Sequence, residues 1–80
     1  MTKEVKIVND YIRNATRAQV DRVLSDVILS DRQRKIFDLH FIRRMDIGFT
    51  ADELGYSPSV ICVELRIIRR KIFAILCNGN

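Results

Sequence analysis

At 80 residues the chain suffices for one small domain, because a second is usually gained only past about 150 residues. Apolar residues make up 48% and charged residues 30%, a balance that excludes a disordered tail, and no apolar run approaches the roughly 20 residues of a membrane span. The opening Met-Thr-Lys-Glu-Val-Lys places charges where a secretory leader needs apolar residues, so the expectation is a soluble, cytoplasmic protein. Fourteen Lys and Arg against ten Asp and Glu give a net charge of +4, a mild pointer to an anionic partner.

Helical periodicity divides the chain into five segments. Val5, Val8, Tyr11, Ile12 and Ala15 share one face of a first helix over residues 3–14. Thr16-Arg17-Ala18-Gln19 has the form of a capping box and opens a second helix over 17–28, with Val20, Val23, Leu24, Val27 and Ile28 as its stripe. Ser30-Asp31-Arg32-Gln33 repeats the box before a third helix over 31–44, which carries Ile36, Phe37, Leu39, Phe41 and Ile42. Asp46 caps a short fourth over 47–54 with Phe49, Ala51 and Leu54. Ser57-Pro58 opens a long fifth over 58–76, where Ile61, Leu65, Ile68, Ile72 and Leu76 line up, and Asn78-Gly79-Asn80 reads as its stop. No segment alternates as a strand does, so the fold class is all-α, a single five-helix domain over 1–80 with a tail at 77–80.

The spacing between Ile47 and Arg66 is the most specific feature. Ala51, Gly55 and Ile61 fall where a helix-turn-helix needs a small residue between axes, a left-handed turn residue and an apolar anchor, with Leu54 and Leu65 completing the contacts.

Leu29-Ser30-Asp31-Arg32-Gln33-Arg34-Lys35-Ile36-Phe37, together with Phe41-Ile42, the Ala51–Gly55 turn, Ser57, Ile61, Leu65 and Arg69-Arg70-Lys71-Ile72, resembles region four of bacterial sigma factors and the related LuxR-type DNA-binding domains. The resemblance spans residues 29–76 and leaves out the two helices of 1–28. It implies a free-standing sigma-like regulator, of the kind that phages and mobile elements of bacteria carry. By the family's pattern Ser57, Pro58, Ser59, Cys62, Val63 and Arg66 face the DNA groove. Only Arg66 among these is basic, and Cys62 and Val63 are poor donors to a base edge.

Charge placement cuts across that reading. Residues 31–45 carry +3 and residues 66–80 carry +4, whereas residues 46–65 hold Asp46, Asp52, Glu53 and Glu64 with no base. Arg32, Arg34, Arg66, Arg69, Arg70 and Lys71 are the candidate phosphate contacts, flanking Ser57, Ser59, Cys62 and Val63. Glu64 faces either the core or a cytosine amine. Double-stranded DNA is the expected partner. The alternative is a protein partner, such as RNA polymerase, a sigma or anti-sigma factor or an inhibited nucleic-acid enzyme, gripped by a helix-turn-helix scaffold.

The remaining chemistry is sparse. Cys62 and Cys77 stand fifteen positions apart, about 22 Å at 1.5 Å per helical residue, and are expected as packed, reduced thiols. His40 is expected as a packed or half-exposed residue. No metal, cofactor or catalytic constellation is legible, so no enzymatic activity is expected. Val60, Val63, Ile67, Ala74 and Phe73 widen the apolar face of the last helix beyond one core contact. That excess calls for partial cover from residues 1–28 together with a modest homodimer seam through residues 58–76.

Overall fold

The computed structural model describes residues 3–78. Among the described residues the chain is all-α: α1 (Lys3–Asn14), α2 (Arg17–Asp26), α3 (Asp31–Phe37), α4 (Ile47–Leu54) and α5 (Pro58–Asn78), with α3 running on into a π-helical turn, Asp38–Ile42. No helix among the described residues is long and apolar enough to cross a membrane. The stop expected at Asn78-Gly79-Asn80 lies largely outside the described residues, since α5 continues to Asn78.

Local chemistry accounts for most of these boundaries. Both capping boxes form. The Gln19 and Gln33 backbone N–H groups donate to Thr16 Oγ1 (3.2 Å) and Ser30 Oγ (3.1 Å), and the two glutamine Oε1 atoms accept from the Thr16 and Ser30 backbones in return. Asp46 Oδ1 accepts from Phe49 N at 2.7 Å and opens α4. Ser57 Oγ accepts from Val60 N at 3.3 Å, one residue ahead of Pro58. α2 stops at Asp26 because Val27 turns extended (φ −98°, ψ 131°). The helical phase is lost there, and Ile28, expected in the apolar stripe, is 87% exposed.

The third helix has no glycine at its end, and it closes differently. The π turn widens the helix, so Arg43 N donates five residues back to Asp38 O at 2.9 Å. Arg44 then takes φ +59°, the one left-handed non-glycine position among the described residues, and Met45 N donates to Leu39 O at 3.0 Å. His40, half-buried, holds the same turn with Nδ1 2.8 Å from Met45 O.

The chain divides into two units. One is Leu29–Ile68, and the other combines Met1–Ile28 with Arg69–Asn80. In the first, Leu29, Ile36, Phe37, Leu39, Ala51, Ile61, Leu65 and Ile68 are buried, and the Phe37 and Phe41 rings meet at 5.0 Å. In the second, Val8, Val20, Val23, Val27 and Ile72 are buried. α5 is continuous and contributes Ile61, Leu65 and Ile68 to the first unit and Ile72 to the second.

Two further expectations are corrected. Phe49 is 49% exposed rather than core, because Thr50 and Ala51 (both 0% exposed) occupy the inward phase of α4 and leave Phe49 about 100° away. Thr50 tolerates burial because its hydroxyl donates to Asp46 O at 2.9 Å. Cys62 and Cys77 are free but exposed, not packed, since both fall on the outward phase of α5. The cover over α5 is partial: Ile72 is buried and Phe73 half-buried in the unit that contains residues 1–28, while Val63 and Ile67 stay 50% and 37% exposed.

Candidate nucleic-acid interface

The Leu29–Ile68 unit contains α4, the turn at Gly55 and the first half of α5. α4 ends at Gly55, whose φ of +76° and ψ of 28° put it in the left-handed region; its N–H turns back to Asp52 O (3.4 Å), and Tyr56 N reaches Ala51 O (2.9 Å). No atom lies within 4 Å of a Cβ built on Gly55, so glycine is required there by the backbone and not by space. Ala51 is fully buried and Leu54 half-buried. The three-residue joint of Gly55, Tyr56 and Ser57 leads straight into α5.

α5 turns two faces outward and inward with little overlap. Ile61, Leu65 and Ile68 point in, each no more than 2% exposed. Ser59, Cys62, Val63, Arg66 and Ile67, at spacings of three and four, are all exposed on the opposite side. Of the residues assigned to the groove from sequence, Ser59, Cys62, Val63 and Arg66 therefore share one exposed helix face. Ser57 is exposed too, with its hydroxyl engaged as the cap.

The candidate bases fall into different situations. Arg32 Nη1 sits 3.2 Å from Glu64 Oε2, and its guanidinium lies over the Tyr56 ring, 5.1 Å from the centroid. Glu64 accepts a second hydrogen bond on Oε1 from Gln33 Nε2 at 3.0 Å, and its side chain is only 14% exposed. Both carboxylate oxygens are occupied within the unit, so Glu64 holds α3 to α5 instead of pointing at a base edge. Arg32, Ser59, Val60, Val63 and Glu64 line an open depression of about 310 Å³ beside the first turns of α5. Arg34 and Arg66 are exposed, with no ion pair among the described residues.

Arg69, Arg70 and Lys71 belong to the other unit. Arg70 is exposed. Arg69 is half-buried and donates from Nε to Asn9 Oδ1 at 3.2 Å, and Lys71 Nζ donates to Ile28 O at 2.8 Å. These two serve as ties between α5 and the N-terminal segment.

The unit boundary also redistributes charge. The Leu29–Ile68 unit holds six bases (Arg32, Arg34, Lys35, Arg43, Arg44, Arg66) and six acids (Asp31, Asp38, Asp46, Asp52, Glu53, Glu64) and is electrically neutral. The whole +4 resides in the other unit. Arg32 and Arg43 are further matched by Glu64 and Asp38, which leaves Arg34, Lys35, Arg44 and Arg66 as its cations outside ion pairs among the described residues.

Two parts of this arrangement escaped the sequence. The Gln33–Glu64–Arg32–Tyr56 network was signalled only indirectly: a capping glutamine uses its Oε1 and keeps an amide with two donors to satisfy. The left-handed Arg44 had one signal, the lack of any glycine or asparagine between Ile42 and Asp46, where a helix has to end. Among the described residues no group of three or more His, Cys, Asp or Glu could hold a metal ion.

No protein-family model, curated protein or solved structure matches the chain.

Proposed function

We propose that the protein is a DNA-binding transcriptional regulator of helix-turn-helix type, similar in plan to sigma region four. One observation carries this reading: the α4–Gly55–α5 turn buries Ala51, Ile61 and Leu65 and leaves Ser59, Cys62, Val63 and Arg66 on one unobstructed face of the second helix. Ser59 and Arg66 supply the polar contacts to the duplex, Val63 an apolar contact of the kind a thymine methyl accepts, and Arg34 and Arg66 a phosphate grip.

A neutral recognition unit makes weak non-specific binding the natural regime. With about four free cations, the logarithm of affinity falls with the logarithm of salt at a slope near −3 to −4. Fluorescence anisotropy on a random 30-bp duplex (roughly three helical turns) at graded salt tests the reading. Salt-sensitive binding with that shallow slope is the expected result; no binding at low salt overturns it.

A second reading has its own support. Val63 and Ile67, 50% and 37% exposed, flank Arg66, and an apolar face of this kind suits a protein partner such as RNA polymerase or a sigma factor. Stoichiometric recovery of one such partner from a bacterial extract, undiminished by nuclease treatment, would favour it over DNA.

A further inference from the structure

The chain meets the same backbone demand twice and answers it differently. At Gly55 a left-handed residue ends α4, and glycine takes it without steric cost. At Arg44 a left-handed residue ends the π turn, and a long cationic side chain takes it instead (φ +59°). The conformation is imposed by the bonds around it: Arg43 N to Asp38 O, Met45 N to Leu39 O, and His40 Nδ1 against Met45 O. The two neighbouring arginines also differ. Arg43 is matched by Asp38 at 3.4 Å, whereas Arg44 is exposed and has no ion-pair partner among the described residues. Arg44 stands two positions before Asp46, the cap of α4, and the first helix of a helix-turn-helix is the element that crosses the sugar-phosphate backbone.

We propose that Arg44 is a phosphate contact of the helix-turn-helix unit, and that the backbone strain at this position is retained for its guanidinium. The inference rests on the DNA-binding reading and adds to it a residue outside the recognition helix. Its hallmark is opposition between fold and binding. Glycine at this position relieves strain and removes the contact together.

The test uses the full chain with Arg44→Gly, Arg44→Ala and Arg44→Lys, each measured by thermal unfolding and by duplex binding at graded salt. Arg44→Gly is expected to melt a few degrees higher than the parent yet bind about three- to tenfold more weakly, with a salt slope shallower by about 0.9. Arg44→Ala should show the same loss of binding without the gain in Tm, and Arg44→Lys should keep the slope. If the parent binds DNA and both the Gly and Ala variants match it in affinity and slope, the inference fails and the DNA reading stands. If Arg44→Gly melts no higher than the parent, the strain argument fails. A parent that binds no duplex at low salt overturns the DNA reading and this inference with it.

Discussion

Gln33 and Glu64 are 31 residues apart in sequence, and the Gln33 amide donates to the Glu64 carboxylate at 3.0 Å while the same side chain closes the cap of α3. One glutamine thus serves a local and a long-range role. Its carbonyl oxygen satisfies the Ser30 N–H, and its amide ties the start of α3 to the second turn of α5. Glu64 extends the link to Arg32, which covers the Tyr56 ring at the helix-turn-helix joint.

Cutting this network exposes its worth. Glu64→Ala removes the carboxylate that the Gln33 amide and the Arg32 guanidinium share; the expected loss is about 1–3 kcal/mol, read from urea unfolding. A cycle with Gln33→Ala should show coupling of at least about 0.5 kcal/mol, because the two variants remove the same bond.

The glycines predict changes of opposite sign. Gly48 lies inside α4, and a Cβ there meets Asp46 Oδ1 at an ordinary 3.5 Å, so Gly48→Ala should stabilise by about 0.5–1 kcal/mol. Gly55→Ala meets no atom but must hold φ +76°, and should destabilise by about 1–2 kcal/mol. Thermal melts of the two variants, run side by side, check both signs.

The outward phases of α4 and of the α2–α3 joint predict tolerance. Phe49→Ser and Ile28→Ser should each change stability by no more than about 0.5 kcal/mol, whereas a core phenylalanine such as Phe37 (2% exposed) should cost about 3–5 kcal/mol on truncation to Ala. A loss above 2 kcal/mol (roughly the scale of burying one such side chain) for Phe49→Ser would mean that the ring is packed.

The arginines should sort by what they touch. Arg34→Ala and Arg66→Ala are expected to lower DNA affinity and to make the salt slope shallower by about 0.9 each, with little change in Tm. Arg69→Ala should do the reverse, lowering Tm through the loss of its bond to Asn9 while leaving the slope alone. Paired anisotropy and melting measurements on the three variants separate the two classes.

Where a cap or turn is set by neighbouring residues, the sequence was enough. Thr16, Ser30, Asp46, Ser57 and Gly55 all act as their local patterns indicate, and α1 and α4 have the expected bounds. Legibility failed where phase was decided by something distant or by a helix of another pitch. Phe49 and Ile28 are apolar and periodic, yet Thr50 with its hydroxyl tied to Asp46 O, and the early break at Val27, turn them outward. The candidate site was legible in part. Ser59, Cys62, Val63 and Arg66 do share an open face, but no one-dimensional pattern states that Glu64 claims Arg32 or that Asn9 claims Arg69.

The division of α5 between two units bears on the order in which the chain can fold. Leu29–Ile68 is contiguous, so the contacts within it join residues of one uninterrupted stretch of chain. α1 and α2 are synthesised first, yet the α5 segment in their unit, with Arg69, Lys71 and Ile72, is synthesised last. Val8, Val20 and Val23 are therefore made more than 40 residues before Ile72, the buried α5 residue of their unit. A released fragment ending at Ile68 should carry a protease-resistant middle, Leu29–Ile68, and a protease-sensitive beginning.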